Sequence, residues 1–398
     1  MTSTTDARLG QALGTDFFNV REQFTDEQWA RFTAARRFVD QEVVPAAAGY
    51  WERAEIAWPL IRRLPELGLV GEDIEGYGCA GMSAMACGLV TMELHRGDGS
   101  LGVALGVHAG LAMRSIALLG SAEQKERWLP AMARMERLGA FALTEPDHGS
   151  DSVSLETSAA PAAGGWVLSG RKRWIGLGTL ADLVVVWARS TQDGKVGAYV
   201  VEKGAPGYHA SVIEGKASLR SVWQADIELD GVLVPEQNRL PGARSFADAT
   251  RVLAATRSTC AWAALGHATA AYDAALRYAL ARRQFGRPLA SFQIVQQRLV
   301  SMLADLTAMQ LYCLQIGRLA DAGRLTPTVA GLAKMHNTRK ARLIAADARD
   351  LLGGNGILLD HHVARHMADL EAIHTFEGTE TIQTLIVGRD ITGIGAFA

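Results

Sequence analysis

The sequence predicts an α+β multidomain protein: an N-terminal helical domain over residues 1–138, a middle β-barrel-like domain over 139–245, and a C-terminal domain over 246–398 built as a four-helix bundle. Three observations predict it. The chain has 398 residues, more than the roughly 250–300 at which a single hydrophobic core stops growing. Its hydrophobic periodicity is helical in the first third, turns to short β-type runs near Gly139, and becomes helical again from Phe246. The last third also carries long amphipathic stripes, which a bundle buries most simply.

Taken in order, Thr25-Asp26-Glu27-Gln28 and Ser121-Ala122-Glu123-Gln124 each read as a capping box opening a helix. Pro45 and Pro130 are expected to stop helices, because proline cannot donate to the helical ladder. The stretch from Leu101 to Gly120 is apolar, but His108 and Arg114 interrupt it, so a buried core helix is expected and no membrane span. The β domain is read from Trp166-Val167-Leu168, Leu183 to Trp187 and Gly197 to Val201, and extends to about Pro241. Leu299, Met302, Leu303, Leu306, Met309 and Cys313 then lie on one helical stripe, which is core.

Composition narrows the function. Hydrophobic residues are 48%, charged residues 21% and net charge is -2, so nothing draws the chain to nucleic acid. Small molecules or copies of itself are the expected partners. The four cysteines, Cys79, Cys87, Cys260 and Cys313, have neither disulfide-framework nor metal-ligand spacing. No metal site is expected, and a reducing compartment is. MTSTTDARLGQ lacks the pattern of a secretory signal, and Gly395-Ala396-Phe397-Ala398 lacks a peroxisomal address. A cytoplasmic location follows as the expectation.

Three segments are richer in glycine and polar groups than their local structure requires. Phe141 to Asp151 reads as a strand breaking into a turn dense in hydroxyls and backbone donors; it is either a plain turn or an anion-holding one. Gly353-Gly354-Asn355-Gly356 fits a helix C-cap as well as a nucleotide contact, and matches neither a Walker A loop nor a Rossmann fingerprint. Thr375 to Gln383 places Glu377 between an aromatic residue and a glycine just ahead of a helix; alone, it could be a solvated turn acid.

Together these segments resemble the acyl-CoA dehydrogenases along nearly the whole chain. The motifs are the Leu143-Thr144-Glu145-Pro146 turn with Gly149-Ser150-Asp151, the Lys172-Arg173-Trp174-Ile175 strand, Arg282-Arg283-Gln284-Phe285-Gly286, Gly353 to Gly356, and Phe376-Glu377-Gly378-Thr379. Glu75 to Gly81, Leu370 to Thr379 and the terminal Gly388-Arg389-Asp390-Ile391-Thr392-Gly393-Ile394 are most similar to glutaryl-CoA dehydrogenases and plant short-chain acyl-CoA oxidases.

The resemblance implies FAD as cofactor and an acyl-CoA thioester as substrate. Glu377 matches the base that removes the α proton while hydride leaves the β carbon. The oxyanion donors in relatives are a flavin ribityl hydroxyl and the backbone N–H of the base. Phe141, Leu143, Thr144, Trp174, Ile175 and Gly176 match flavin contacts, and Ser150 a serine shared by FAD and CoA. Arg282, Phe285, Gln293 and the loop Leu352, Gly353, Gly354 and Gly356 match positions gripping the FAD of a neighbouring subunit. Thr379 and Thr381 complete the FAD set; Arg257 and Gly378 match substrate contacts. A homo-oligomer, dimer or tetramer, and an electron-transfer flavoprotein are the implied partners.

Departures from the pattern qualify the substrate. Where glutaryl-CoA enzymes hold the second carboxylate with arginine, this chain has Gly102, and the neighbouring acid is His95. A buried anionic tail without a cation would cost several kcal/mol, so a neutral short or branched acyl group is expected, or a larger one if Gly102 leaves space. Gly176 stands where dehydrogenases carry a threonine bonded to flavin N5, as in the plant oxidases, which keeps an oxidase alternative open. Ala254 and Phe376 each lack a polar group that relatives often have.

Overall fold

The computed structural model describes residue 16 and residues 18–396; MTSTTDARLGQ and the final Phe397 and Ala398, on which the targeting expectations rest, lie outside them. Helix α1 (Asp26–Phe38) opens as the sequence requires. The Thr25 hydroxyl accepts from the Gln28 N–H at 3.2 Å, and the Gln28 side chain accepts from the Thr25 N–H at 3.0 Å. A π segment, Val39–Val43, carries the chain straight into α2 (Val44–Arg53). Pro45 therefore stops nothing: it falls in the first turn of α2, where a missing N–H is tolerated. After α3 (Trp58–Glu66) and α4 (Ala84–Gly97), α5 (Gly99–Leu105), a second π segment (Gly106–Met113) and α6 (Arg114–Leu119) form one rod. Helix α7 (Ala122–Ala133) starts at the Ser121 capping box and contains Pro130 in its last turn, so this proline too lies inside a helix.

By length and composition alone the rod Gly99–Leu119 could cross a membrane, as could Gln293–Asp321. The first is a core element here, 67% buried, with His108 taking the Gly139 N–H at 2.9 Å and Arg114 paired with Glu72 at 2.8 Å.

The middle region is one seven-stranded sheet of β1 (Gly139–Ala142), β2 (Ser158–Ala162), β3 (Gly165–Gly176), β4 (Leu183–Ser190), β5 (Val196–Glu202), β6 (Tyr208–Val212) and β7 (Gln224–Pro235). The order is β1-β4-β2-β3-β7-β6, with β5 also on β4. Strand alternation explains how it is buried on both faces. Leu183, Val185 and Trp187 pack with the N-terminal helices, while Val184, Val186 and Ala188 join a second cluster with Ile227 and Val232.

The C-terminal region comprises α8 (Phe246–Arg257), α9 (Thr259–Ala281), a hairpin of β8 (Arg283–Gln284) and β9 (Arg287–Pro288), then α10 (Gln293–Asp321), α11 (Pro327–Leu351), α12 (Val363–Thr375) and α13 (Glu380–Thr392). On α10 the apolar stripe is buried at Leu299, Met302, Leu306, Met309 and Cys313, with Leu303 half-buried. Met85, Leu89 and Met92 of α4 enter the same cluster, so the two helical regions share a core. The fourth arm of the bundle is broken between α12 and α13, and the break is the Phe376–Thr379 loop.

Candidate active site

Glu377 sits in that break with left-handed backbone (φ 56°), followed by Gly378 (φ 82°). Three side chains from two helices surround its carboxyl. Thr256 on α8 donates its hydroxyl to Oε2 at 3.2 Å. Arg257 is buried next to it, and Lys334 approaches from α11, fully buried. Burial is the largest influence on Glu377 and raises its pKa from the ordinary 4.5, against Lys334, the Thr256 hydrogen bond and Arg257, which lower it. Glu377 as a residue is half-buried, but its carboxyl is turned toward buried Thr256, Arg257 and Lys334, so it is not a freely solvated turn acid and its basicity is raised.

The loop's carbonyls all turn inward. Lys334 Nζ donates to the carbonyls of Phe376 and Gly378, and Gln383 Nε2 donates to those of Glu377 at 3.1 Å and Gly378 at 3.2 Å. In a trans peptide the N–H opposes the carbonyl, so the N–H groups of Glu377 and Gly378 face the other way. Neither has a hydrogen-bond partner among the described residues. Thr379 caps α13, accepting from the Ile382 N–H at 3.2 Å, while Thr381 is exposed on its first turn.

A second strained point lies at the end of β3. The β3–β7 register skips between Lys172 and Ile175, so Arg173 and Trp174 together oppose Asp226. Such a bulge re-aims side chains: Trp174, with φ 62°, is 52% exposed between buried Lys172 and Ile175. The Arg173 N–H donates to the Thr144 carbonyl at 2.9 Å, placing the bulge beside the turn that follows β1. Glu145 fixes that turn. Its carboxylate pairs with Lys172 at 2.8 Å and accepts the N–H groups of Glu156 at 2.7 Å and Thr157 at 2.9 Å. Burial would raise it, yet these partners prevail and hold it at about 2. Phe141, Leu143, Ile175 and Gly176 are buried, Thr144 is half-buried and Ser150 is exposed.

The second π segment joins these two points. A Cβ on Gly176 would meet Val107 Cγ2 at 2.8 Å, and one on Gly110 would meet Thr256 Cγ2 at 3.4 Å. One turn of helix therefore separates the β3 end from the partner of Glu377, and π distortions recur at functional sites.

His95 and Gly102 also meet, with a consequence the sequence did not show. A Cβ at Gly102 would lie 2.4 Å from the His95 ring, so the imidazole fills the space above the glycine and no enlarged pocket results. His95 continues to His267 at 3.3 Å and His267 to His366 at 2.8 Å; burial lowers His95 to about 3, so it is neutral.

Other expected residues form a separate group. Arg282 and Gln293 are exposed and Phe285 is 91% exposed at the hairpin. Leu352, Gly353, Gly354 and Gly356 follow α11, with Gly353 left-handed (φ 60°) as a C-cap requires and Asn355 donating to the Tyr278 hydroxyl at 2.9 Å. The sequence reading missed Thr256, Lys334 and Gln383. The available signal was a lysine among Ala330, Gly331, Ala333, Asn337 and Ala341, all on the buried face of α11.

A carboxylate held among buried groups, beside backbone N–H groups without partners among the described residues, is an arrangement able to take a proton from a weak carbon acid and stabilise the resulting anion. Three family models cover the chain, the acyl-CoA dehydrogenase N-terminal (residues 25–136), middle (140–232) and C-terminal (246–392) domains, and the chain belongs to the acyl-CoA dehydrogenase family. It is 34% identical to an acyl-CoA dehydrogenase of Bacillus subtilis, over 93% of this chain and 99% of that one. A glutaryl-CoA dehydrogenase structure from Mycobacterium smegmatis superposes with a TM-score of 0.94 at 41% identity, over 97% and 99% of the two chains. A second glutaryl-CoA dehydrogenase from that organism, solved in complex with FADH2, superposes with 0.94 at 35% identity, over 96% and 98%. The chain is thus a flavoprotein oxidoreductase acting on the CH–CH bond of an acyl-CoA, with FAD as cofactor. Its residues fit that cofactor: beside Thr144 the bulge presents the Trp174 indole, 52% exposed on a left-handed backbone, with the Arg173 guanidinium 5.3 Å from the ring centroid.

Proposed function

We propose that the enzyme converts a short or branched neutral acyl-CoA to the trans-2-enoyl-CoA and passes the electrons to an electron-transfer flavoprotein. The enclosed Glu377 carboxylate carries this reading. It accepts the α proton, and as that C–H bond breaks, negative charge grows on the thioester oxygen. The free N–H groups of Glu377 and Gly378 are aimed away from the loop's own carbonyl partners and take up that charge. FAD, when bound, supplies the acceptor for the β hydride. Phe141, Leu143, Thr144, Trp174, Ile175, Gly176 and Ser150 would hold it from one subunit, with Thr379 and Thr381. Arg282, Phe285, Gln293 and the Leu352 to Gly356 loop would reach it from a second copy in a dimer or tetramer. Arg257, buried with an Nε that has no partner among the described residues, would meet the CoA part.

Neutrality of the acyl group is supported by His95. The group standing over Gly102 is uncharged, and Arg365, which meets His366 at 3.5 Å at the far end of the histidine chain, is committed to Asp98 at 3.4 Å and the Gly97 carbonyl at 2.7 Å. A second reading, an oxidase, is favoured by Gly176, which offers no hydroxyl; Val107 packed over it would resist any side chain there.

Anaerobic titration of the yellow protein with butyryl-, isobutyryl-, isovaleryl- and glutaryl-CoA, followed by admission of air, tests the set. Loss of flavin absorbance with a neutral thioester and slow reoxidation is expected. Bleaching by glutaryl-CoA alone, with release of carbon dioxide, overturns the substrate assignment, and rapid reoxidation with peroxide establishes the oxidase.

A further inference from the structure

We propose that Lys334 is a positioning residue for this reaction: its ammonium, held between the carbonyls of Phe376 and Gly378, orients and polarises the peptide whose N–H belongs to Glu377, strengthening that N–H toward the substrate anion. The inference rests on the reading of Glu377 as the base.

Lysine at this place is costly. Lys334 is fully buried on a face of α11 otherwise made of Ala330, Gly331, Ala333, Asn337, Thr338 and Ala341. An ammonium removed from water costs several kcal/mol unless closely compensated, and a methionine would fill a similar volume without that cost. Among the described residues its hydrogen-bond partners are two backbone carbonyls and no carboxylate oxygen. Holding the loop does not by itself require charge, because the neutral Gln383 amide already binds the carbonyls of Glu377 and Gly378. Helix α11 makes room for that amide: a Cβ at Gly331 would stand 2.8 Å from Gln383 Oε1. What the lysine adds is a positive charge on the oxygen of the Phe376–Glu377 peptide. That charge draws electron density toward the carbonyl and makes the opposed N–H a better donor, as chained hydrogen bonds reinforce one another in a low dielectric. The arrangement also maintains the left-handed φ of 56° at Glu377, a conformation a non-glycine residue keeps only when its surroundings impose it.

Around the carboxyl, the charged and titratable groups are Arg257 on α8, Cys260 on α9 and Lys334 on α11, with the neutral Thr256 hydroxyl bonded to it. Lys334 is the stronger of the two cations in lowering the Glu377 pKa. The carboxylate is the reactive form. Removing the charge therefore raises the Glu377 pKa and moves the acidic limb of the rate–pH profile to higher pH.

The test uses the FAD-loaded full chain and whichever neutral acyl-CoA bleaches its flavin fastest. Lys334→Gln and Lys334→Met are expected to slow anaerobic flavin reduction on the order of 10–100-fold, with the acidic limb displaced upward. They should also weaken binding of 3-oxobutanoyl-CoA, whose enolate mimics the anion, while crotonyl-CoA binding changes by no more than about twofold. Lys334→Arg should recover both the rate and the limb. Wild-type rates and an unmoved limb in the Gln and Met variants overturn the proposal. So does an equal loss of enolate and crotonyl-CoA binding that arginine does not rescue, since that marks a purely structural role. Should the Met variant lose FAD, the Gln variant, which keeps an amide donor in place of the charge, decides the matter. Glu377→Gln in parallel separates the two readings: if it still bleaches, the base assignment fails. If it does not bleach while the Lys334 variants behave as wild type, only the present proposal falls.

Discussion

The Phe376–Thr379 loop and the Arg282–Phe292 hairpin are both short breaks between helices of the C-terminal region, yet they are finished in opposite ways. In the loop every inward carbonyl has a buried donor, and Lys334 and Gln383 are committed to it. The hairpin keeps Phe285 91% exposed with a left-handed φ of 49°, and the Arg287 guanidinium lies over its aromatic neighbour Phe292, 4.1 Å from the ring centroid. A loop completed within one chain can prearrange a base. A strained, apolar tip left open to solvent has the character of a surface awaiting a partner, the role proposed above for the hairpin toward FAD and a second copy of the chain.

The largest expected effect lies in the loop. Glu377→Gln should leave folding and FAD content intact while slowing flavin reduction on the order of 10³–10⁴-fold, the range for removing a general base. In the wild-type enzyme the reduction rate should rise with pH through a midpoint above 4.5, because burial raises the Glu377 pKa and only the carboxylate accepts a proton. Stopped-flow absorbance across pH measures both; a midpoint at or below the ordinary carboxylate value would show that the site is wetter than the structure describes.

Next is the turn after β1, which shares the loop's design of a buried ion with a full set of partners. Glu145→Gln leaves Lys172 fully buried without its carboxylate, and about 3–5 kcal/mol of stability should be lost in chemical denaturation. The sign with pH follows from the lowered carboxyl. Its stabilising contribution is fully present above about 4.5 and is lost as pH falls toward about 2. Acid unfolding of the wild type in that window, absent from the variant, would sharpen the parallel with the loop.

The smallest effect on the isolated fold belongs to the hairpin. Phe285→Ala should change protomer stability by no more than about 0.5 kcal/mol, as for a surface residue, while weakening self-association and FAD retention. Sedimentation velocity and flavin content decide it. Unchanged assembly and full flavin content would break the contrast drawn between the two regions.

Much of the framework was legible in local sequence. The capping boxes at Thr25 and Ser121 depend on groups three residues apart, and the α10 stripe on one helix's own periodicity. Proline misled, since Pro45 follows a π segment in a continuous helical run and Pro130 lies in the last turn of α7. Glu377 was ambiguous because its desolvation comes from Thr256, 121 positions away, and from α11. Lys334 was missed because a lysine on an amphipathic helix is ordinarily solvated. The Trp174 bulge requires the β7 register, and the use of Gly102 requires the His95 ring.

By itself, then, the sequence determined the order of helical and β regions and the helix starts, because those follow from periodicity and from hydrogen bonds within a turn. Only the tertiary structure decided which acid is desolvated, which lysine is buried against a carbonyl and which glycine is covered by an imidazole. Solvent exclusion and the direction of a peptide N–H are set by neighbours distant in the chain, and no local pattern encodes them.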